Sequence, residues 1–148
     1  MTTADQWTVQ TSVARGRFES QWEASHPDVP IQWDNIDFTP PEIPTTPNPP
    51  RGSYVRVVFV YSGAFQADMS SDPRFRSTGT MVVSVFVPKG VGEGLAYRLA
   101  ETAAGIFRQA RIDGMTFRAP YPVRVGPDGD YFQLNVVSPF FADATAGG

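Results

Sequence analysis

Residues 78–114, TGTMVVSVFVPKGVGEGLAYRLAETAAGIFRQARIDG, read as one strand, one glycine-rich turn and one long amphipathic helix, and every other segment has to pack against this unit. From residue 80 to 87, Met81, Val83, Val85 and Val87 alternate with Thr80, Val82, Ser84 and Phe86, the period of a strand with one well-buried face. Pro88 ends it. After the glycine turn, Leu95, Leu99, Ala103, Ile106 and Ala110 recur at intervals of three and four, a stripe that Phe107 widens and that has to lie on the sheet. Arg108 and Arg111 are expected in the last helical turn, where the carbonyl end of the dipole favours cations, with Gly114 as the left-handed stop.

The preceding chain is read as a helix, an extended segment, a proline tract and a strand. Thr3 to Gln6 has capping-box spacing, and the helix it opens carries the stripe Trp7, Val13, Ala14, Phe18 and Trp22 and ends near Ser25, ahead of His26-Pro27. Residues 30–38 form a candidate edge strand facing the core with Ile31 and Trp33, and with Ile36 and Phe38 as further candidates. Pro40, Pro41, Pro44, Pro47, Pro49 and Pro50 make residues 39–52 an extended crossover without ladder bonds, expected to strap the helix layer to the sheet. Residues 54–61 give the strongest strand: Val55, Val57, Phe59 and Tyr61 share one face, and Tyr54, Arg56, Val58 and Val60 the other. Because the second face is also largely apolar, another subunit is one candidate for covering it.

Residues 62–77 read as a long loop carrying Phe65, Met69, Arg74, Phe75 and Arg76. Its length exceeds what a hairpin requires, and aromatic residues flanked by arginines are the types that carry energy at interfaces, so these five residues with Val58 and Val60 are the candidate contact surface. Beyond the central helix, residues 115–125 form a strand interrupted by Pro120 and Pro122, residues 126–129 a turn, and residues 131–138 the returning strand, with residues 142–148 as a flexible tail.

A chain of 148 residues suits one domain, residues 1–148, with one core. No run approaches the roughly 20 apolar residues of a membrane helix, and no signal peptide is visible, so no membrane is expected. The absence of cysteine excludes disulfides and thiolate metal sites, and a net charge of -3 disfavours a protein that wraps phosphates. Chemistry is equally poorly served. Gly90-Val91-Gly92-Glu93-Gly94 sits between strand and helix as in a dinucleotide fold, but Leu95 occupies the third glycine position and Glu93 would repel a pyrophosphate. His26, the one histidine, precedes a proline, and the oxygen ligands of a calcium loop are missing around Asp128. No catalytic residue, cofactor or metal is expected, and the protein is read as not an enzyme.

The leading Gly79, the run Pro88, Gly90, Gly92, Gly94 and the helix positions Leu99, Ala100, Ala103 and Phe107 resemble the tail-terminator (tail-completion) proteins of long-tailed bacteriophages and phage-derived particles. The segment from Ile31 to Phe38 with its following prolines is similar to another family segment, and the order of elements over about residues 4–139 fits. The resemblance implies a virion protein at the head-proximal end of the tail, assembled in the host cytoplasm. It implies a six-subunit ring that caps the tail tube, stops its polymerisation and meets a head-side connector or stopper, with DNA passing through without specific binding. The alternatives are another virion part, such as a tail-tube or neck subunit, or a small-molecule binding module with a pocket between helix and sheet. The expected fold is α+β: an antiparallel or mixed sheet of about four strands with two helices on one face.

Overall fold

The computed structural model describes residues 6–66 and 74–145. Helix α1 (Gln6–Ser25) is followed by β1 (Ile31–Trp33), β2 (Tyr54–Gln66), β3 (Arg74–Pro88), α2 (Glu93–Phe107), β4 (Arg111–Ile112), β5 (Met115–Phe117), β6 (Tyr121–Asp128) and β7 (Tyr131–Thr145). The strands make one sheet in the order β1-β2-β3-β7-β5-β4, with β6 also pairing β7. Among the described residues only β1 against β2 is parallel; the other pairings are antiparallel. The α+β class holds and the sheet is mixed, but the expectation of about four strands is corrected: the described residues form seven.

The central unit forms as its periodicity demands. Met81, Val83, Val85 and Val87 are fully buried on the inner face of β3, against Leu95, Leu99, Ala103, Ile106 and Phe107 of α2. Gly90 (φ 89°) and Gly92 (φ 85°) turn the chain in the left-handed region between them, which is the physical need for glycine there. The helix ends earlier than expected. Arg108 caps it, Gln109 turns at φ 57°, and Arg111 and Gly114 belong to the β4–β5 hairpin rather than to a last helical turn. Ala110 keeps the spacing of the stripe and is buried, but its N–H bonds Phe107 O in a turn.

Helix α1 packs beside α2 through a different stripe from the one expected. Gln6, Gln10, Ala14, Phe18 and Trp22, a strict i, i+4 series, are buried, while Trp7 and Val13 are exposed. The buried Gln10 amide donates through Nε2 to Asp113 O at 3.2 Å in the β4–β5 turn, while Gln10 Oε1 and Gln6 Nε2 have no hydrogen-bond partner among the described residues. Phe18 is the centre of this layer: its ring stacks on Trp22 (5.4 Å) and Phe107 (6.5 Å) and meets Trp33 edge-on (6.2 Å). Trp22 Nε1 donates to Val29 O at 2.9 Å, closing the helix end as Pro27 predicts. The capping-box residues before Gln6 lie outside the described residues.

Strand β1 is shorter than the segment expected, and Ile36 is exposed. The proline tract makes no ladder, but it runs over the outer face of the sheet instead of strapping the helix layer. Phe38 packs on Tyr54 (5.2 Å), Tyr131 Oη donates to Pro41 O (3.4 Å), and Tyr54 stacks on Phe86 (4.5 Å) beneath.

The segment read as a loop over residues 62–77 is largely strand. β2 continues to Gln66 and β3 begins at Arg74, with an irregularity between Tyr61 and Gly63 that shifts the register. β7 likewise runs through Pro139 to Thr145, pairing β3 along its length, so residues 142–145 of the expected tail are strand. Pro139 is accommodated in a central strand because it faces the gap between β5, whose last partner is Phe140, and β6, whose first is Val137. Arg118 N–H donates to Pro139 O at 2.8 Å there. That gap is also why the single strand expected over residues 115–125 is two, β5 and β6.

Candidate assembly surface

The sheet registers lay out the outer face as parallel rows. Arg56, Ser84, Asn135 and Val123 form one row across β2, β3, β7 and β6, and Val58, Val82, Val137 and Tyr121 form the next. A third joins Val60, Thr80 and Pro139. The Tyr54–Phe86–Tyr131 cluster with Phe38 and the proline tract covers the neighbouring end of this face, but that cover does not reach the valine rows: Val58, Val82 and Val137 are half-buried and Val60 is 51% exposed. On β6, Val123 (42%) and Val125 (49%) continue the apolar strip to the sheet edge. β-branched residues at open, adjacent positions of several strands make a flat apolar surface, which a soluble domain ordinarily keeps small.

The candidate contact residues fall into two groups. Val58 and Val60 belong to these rows. Phe65, Arg74, Phe75 and Arg76 lie in strand β2 or β3 at the far end of the sheet, where Phe65 pairs Arg76 and Gln66 pairs Phe75. Met69 lies outside the described residues. Phe75 is half-buried. Arg76 is engaged within the chain: its guanidinium makes two hydrogen bonds to Asp143 (2.8 and 3.0 Å) and lies over the Phe141 ring at 4.2 Å, with Arg118 on the same ring at 5.6 Å. The hydrogen bonds to Asp143 hold the Arg76 guanidinium in its charged form. Sequence reasoning missed Asp143 and Phe141 because they come from a strand sixty-five or more residues away, and no local pattern announces β7 beyond Pro139.

Cavities are modest. The cleft between α2 and β6, lined by Tyr97, Ala104, Tyr121, Pro122 and Val136 among others, holds about 190 Å³, below the roughly 300–1,000 Å³ of ordinary ligand sites. A larger groove of about 620 Å³ runs along the proline tract between Asp28, Glu42 and Arg51 and lies open to solvent. His26 is half-buried, with Nε2 2.9 Å from Thr102 Oγ1 and its ring 4.9 Å from Trp22; burial first, then the nearby Arg98, lower its pKa below the usual imidazole value. Its partners are those of a side chain that closes a helix end.

The distinctive features of this two-layer domain are an uncovered valine face and a long three-stranded end. The family model described as phage tail terminator protein matches residues 11–118, and the chain belongs to that family. The protein is therefore a structural component of a phage tail. No curated protein matches the chain. Among solved structures, one of 22% identity aligns over 90% of this chain and 95% of its own with a TM-score of 0.61, a likeness of fold.

Proposed function

We propose that the protein assembles into a closed ring, six-membered as the family resemblance implies, on the head-proximal end of the tail tube. There it stops tube polymerisation and offers its other side to the head-side connector. The observation that carries this reading is the outer sheet face, where the Val58–Val82–Val137 row stands open in the single chain and gains cover in an assembly. The three-stranded end bearing Phe65, Arg74, Phe75 and Arg76, with Met69 beyond it, supplies the contact to the tube or to an adjacent subunit. A net charge of -3 per subunit supports passage of DNA without adhesion.

Two variants test the two surfaces separately. Val58→Asp places a carboxylate in the open valine row without touching the helix layer; the ring should dissociate while the circular dichroism spectrum is unchanged. Phe75→Ala should leave the ring mass intact and abolish capping of tail tubes. Rings of unchanged mass and thermal stability with Val58→Asp would remove the outer face from the interface, and full capping by Phe75→Ala would move the tube contact elsewhere.

A further inference from the structure

The two lateral edges of the sheet carry opposite charge. β1 stands at one edge, where the chain around it, residues 28–42, contains Asp28, Asp34, Asp37 and Glu42; Arg15 lines a pocket with Asp34 and Arg51 a groove with Asp28 and Glu42, so four acids outnumber two arginines. At the other edge stand β4, β5 and β6, and residues 108–128 contain Arg108, Arg111, Arg118 and Arg124 against the two acids Asp113 and Asp128. All of these charged residues are exposed. The two clusters also lie level with each other. The registers Ile31↔Val55↔Val85↔Leu134↔Arg124 and Trp33↔Val57↔Val83↔Val136↔Pro122 run straight across the sheet from β1 to β6.

Each edge adds apolar surface beside its charges. β1 covers only positions 55–57 of β2, so on the side away from β3 residues 58–65 have no ladder partner among the described residues. That stretch, VFVYSGAF, holds no charge and no proline, and its one protective irregularity is the register shift at Tyr61/Gly63. Trp7, half exposed, lies against Tyr61 at this edge, at 5.9 Å between rings. The opposite edge is guarded against strand pairing by Pro122, Pro127 and the shift between Arg124 and Gly126, yet it exposes Tyr121, Val123 and Val125. Side chains rather than a shared ladder must make any contact there.

We infer that the acidic β1–β2 edge of one copy docks on the arginine-bearing β6 edge of a second copy, a head-to-tail contact that repeats around the ring. This rests on the ring reading and specifies which surfaces close it. Two different patches at opposite ends of one sheet make a heterologous interface, the kind that generates rings rather than two-fold dimers. Opposed charges bring the edges together and reject acidic-to-acidic or basic-to-basic docking, and the apolar residues beside them exclude water once they meet.

Charge reversal gives a test with a built-in rescue. Asp34→Arg with Asp37→Arg makes both edges of one variant basic, and Arg118→Glu with Arg124→Glu makes both edges of another acidic. Each variant alone should stay monomeric by light scattering and fail to occupy tail-tube ends in electron micrographs. An equimolar mixture should regain the wild-type mass, or end occupancy where wild type assembles only on tubes, with the two variants in equal numbers by native mass spectrometry. Assembly of either variant alone, or no rescue by mixing two variants of native circular dichroism, overturns the inference while leaving the ring standing. Wild type that forms neither rings nor tube caps overturns the ring itself. Should a reversal variant misfold, the neutral pair Asp34→Asn with Asp37→Asn and Arg118→Gln with Arg124→Gln decides: wild-type assembly must weaken with added salt, and either neutral variant must lose that dependence. Retained salt dependence in both refutes the contact.

Discussion

Gly79 is the position where a single added methyl group should do most damage. A Cβ built there lies 2.7 Å from the Phe140 ring and 2.7 Å from the carbonyl oxygen of Val60, both inside the distance real Cβ atoms keep. Neither neighbour can retreat cheaply. Val60 is held in register with Thr80, and the Phe140 ring is packed edge-on against Tyr61 (5.4 Å) and tilted against Phe117 (5.4 Å). Overpacking of this kind costs roughly 1–3 kcal/mol, and a backbone partner puts Gly79→Ala at the upper end, about 3 kcal/mol. For a domain near 150 residues each kcal/mol moves the melting temperature by about 2–4 °C, so Gly79→Ala should melt about 6–12 °C below wild type by calorimetry. Phe140→Leu in the same chain removes the ring clash but leaves the carbonyl clash, so the double variant should lose less than the sum of the two singles, by at least about 0.5 kcal/mol. A Gly79→Ala protein melting within 2 °C of wild type, or strictly additive losses, would refute this account of why β3 carries a glycine at position 79.

Further outcomes follow from the same packing. Trp22→Phe keeps most of the aromatic layer but leaves Val29 O without its buried donor, and should cost about 1–3 kcal/mol in urea unfolding. Asp143→Asn weakens the bond to Arg76 across β3 and β7; the melting temperature should fall slightly, and the difference from wild type should shrink in high salt because the pair is part-exposed. His26 has a folded pKa below its unfolded value, so the unfolded chain takes up a proton first as pH falls through about 6.5. Stability should therefore decline below that pH until the folded pKa is reached, and His26→Gln should flatten the melting-temperature slope between about pH 7 and pH 5.5. An unchanged slope would place the pH dependence in other groups.

What could be read in the sequence was local. The alternation through Val87 and the stripe from Leu95 to Phe107 specify strand and helix by themselves, and the two apolar faces of β2 were visible in Val55 to Tyr61. What escaped depends on partners distant in the chain. Residues 62–66, 74–79 and 140–145 have weak strand character individually, and they become a three-stranded end only by pairing with one another. Pro139 reads as a stop, yet β7 continues through it at the gap between its β5 and β6 partners. The stripe expected for α1 left out Gln6 and Gln10 because periodicity ranks residues by apolarity, whereas both are buried and Gln10 bonds Asp113 O. Arg76 was legible as an interface residue type, but its bond to Asp143 was not.

The measurement that bears most directly on the tail-terminator reading is the length distribution of tails. Virions assembled from a phage carrying this chain, with and without it, are imaged by negative-stain electron microscopy and their tubes measured. With the protein present, tails of one length should carry a ring of density at the head-proximal end; without it, tubes should be long, heterogeneous and detached from heads. Tails of normal, uniform length joined to heads in the absence of the protein would contradict the account.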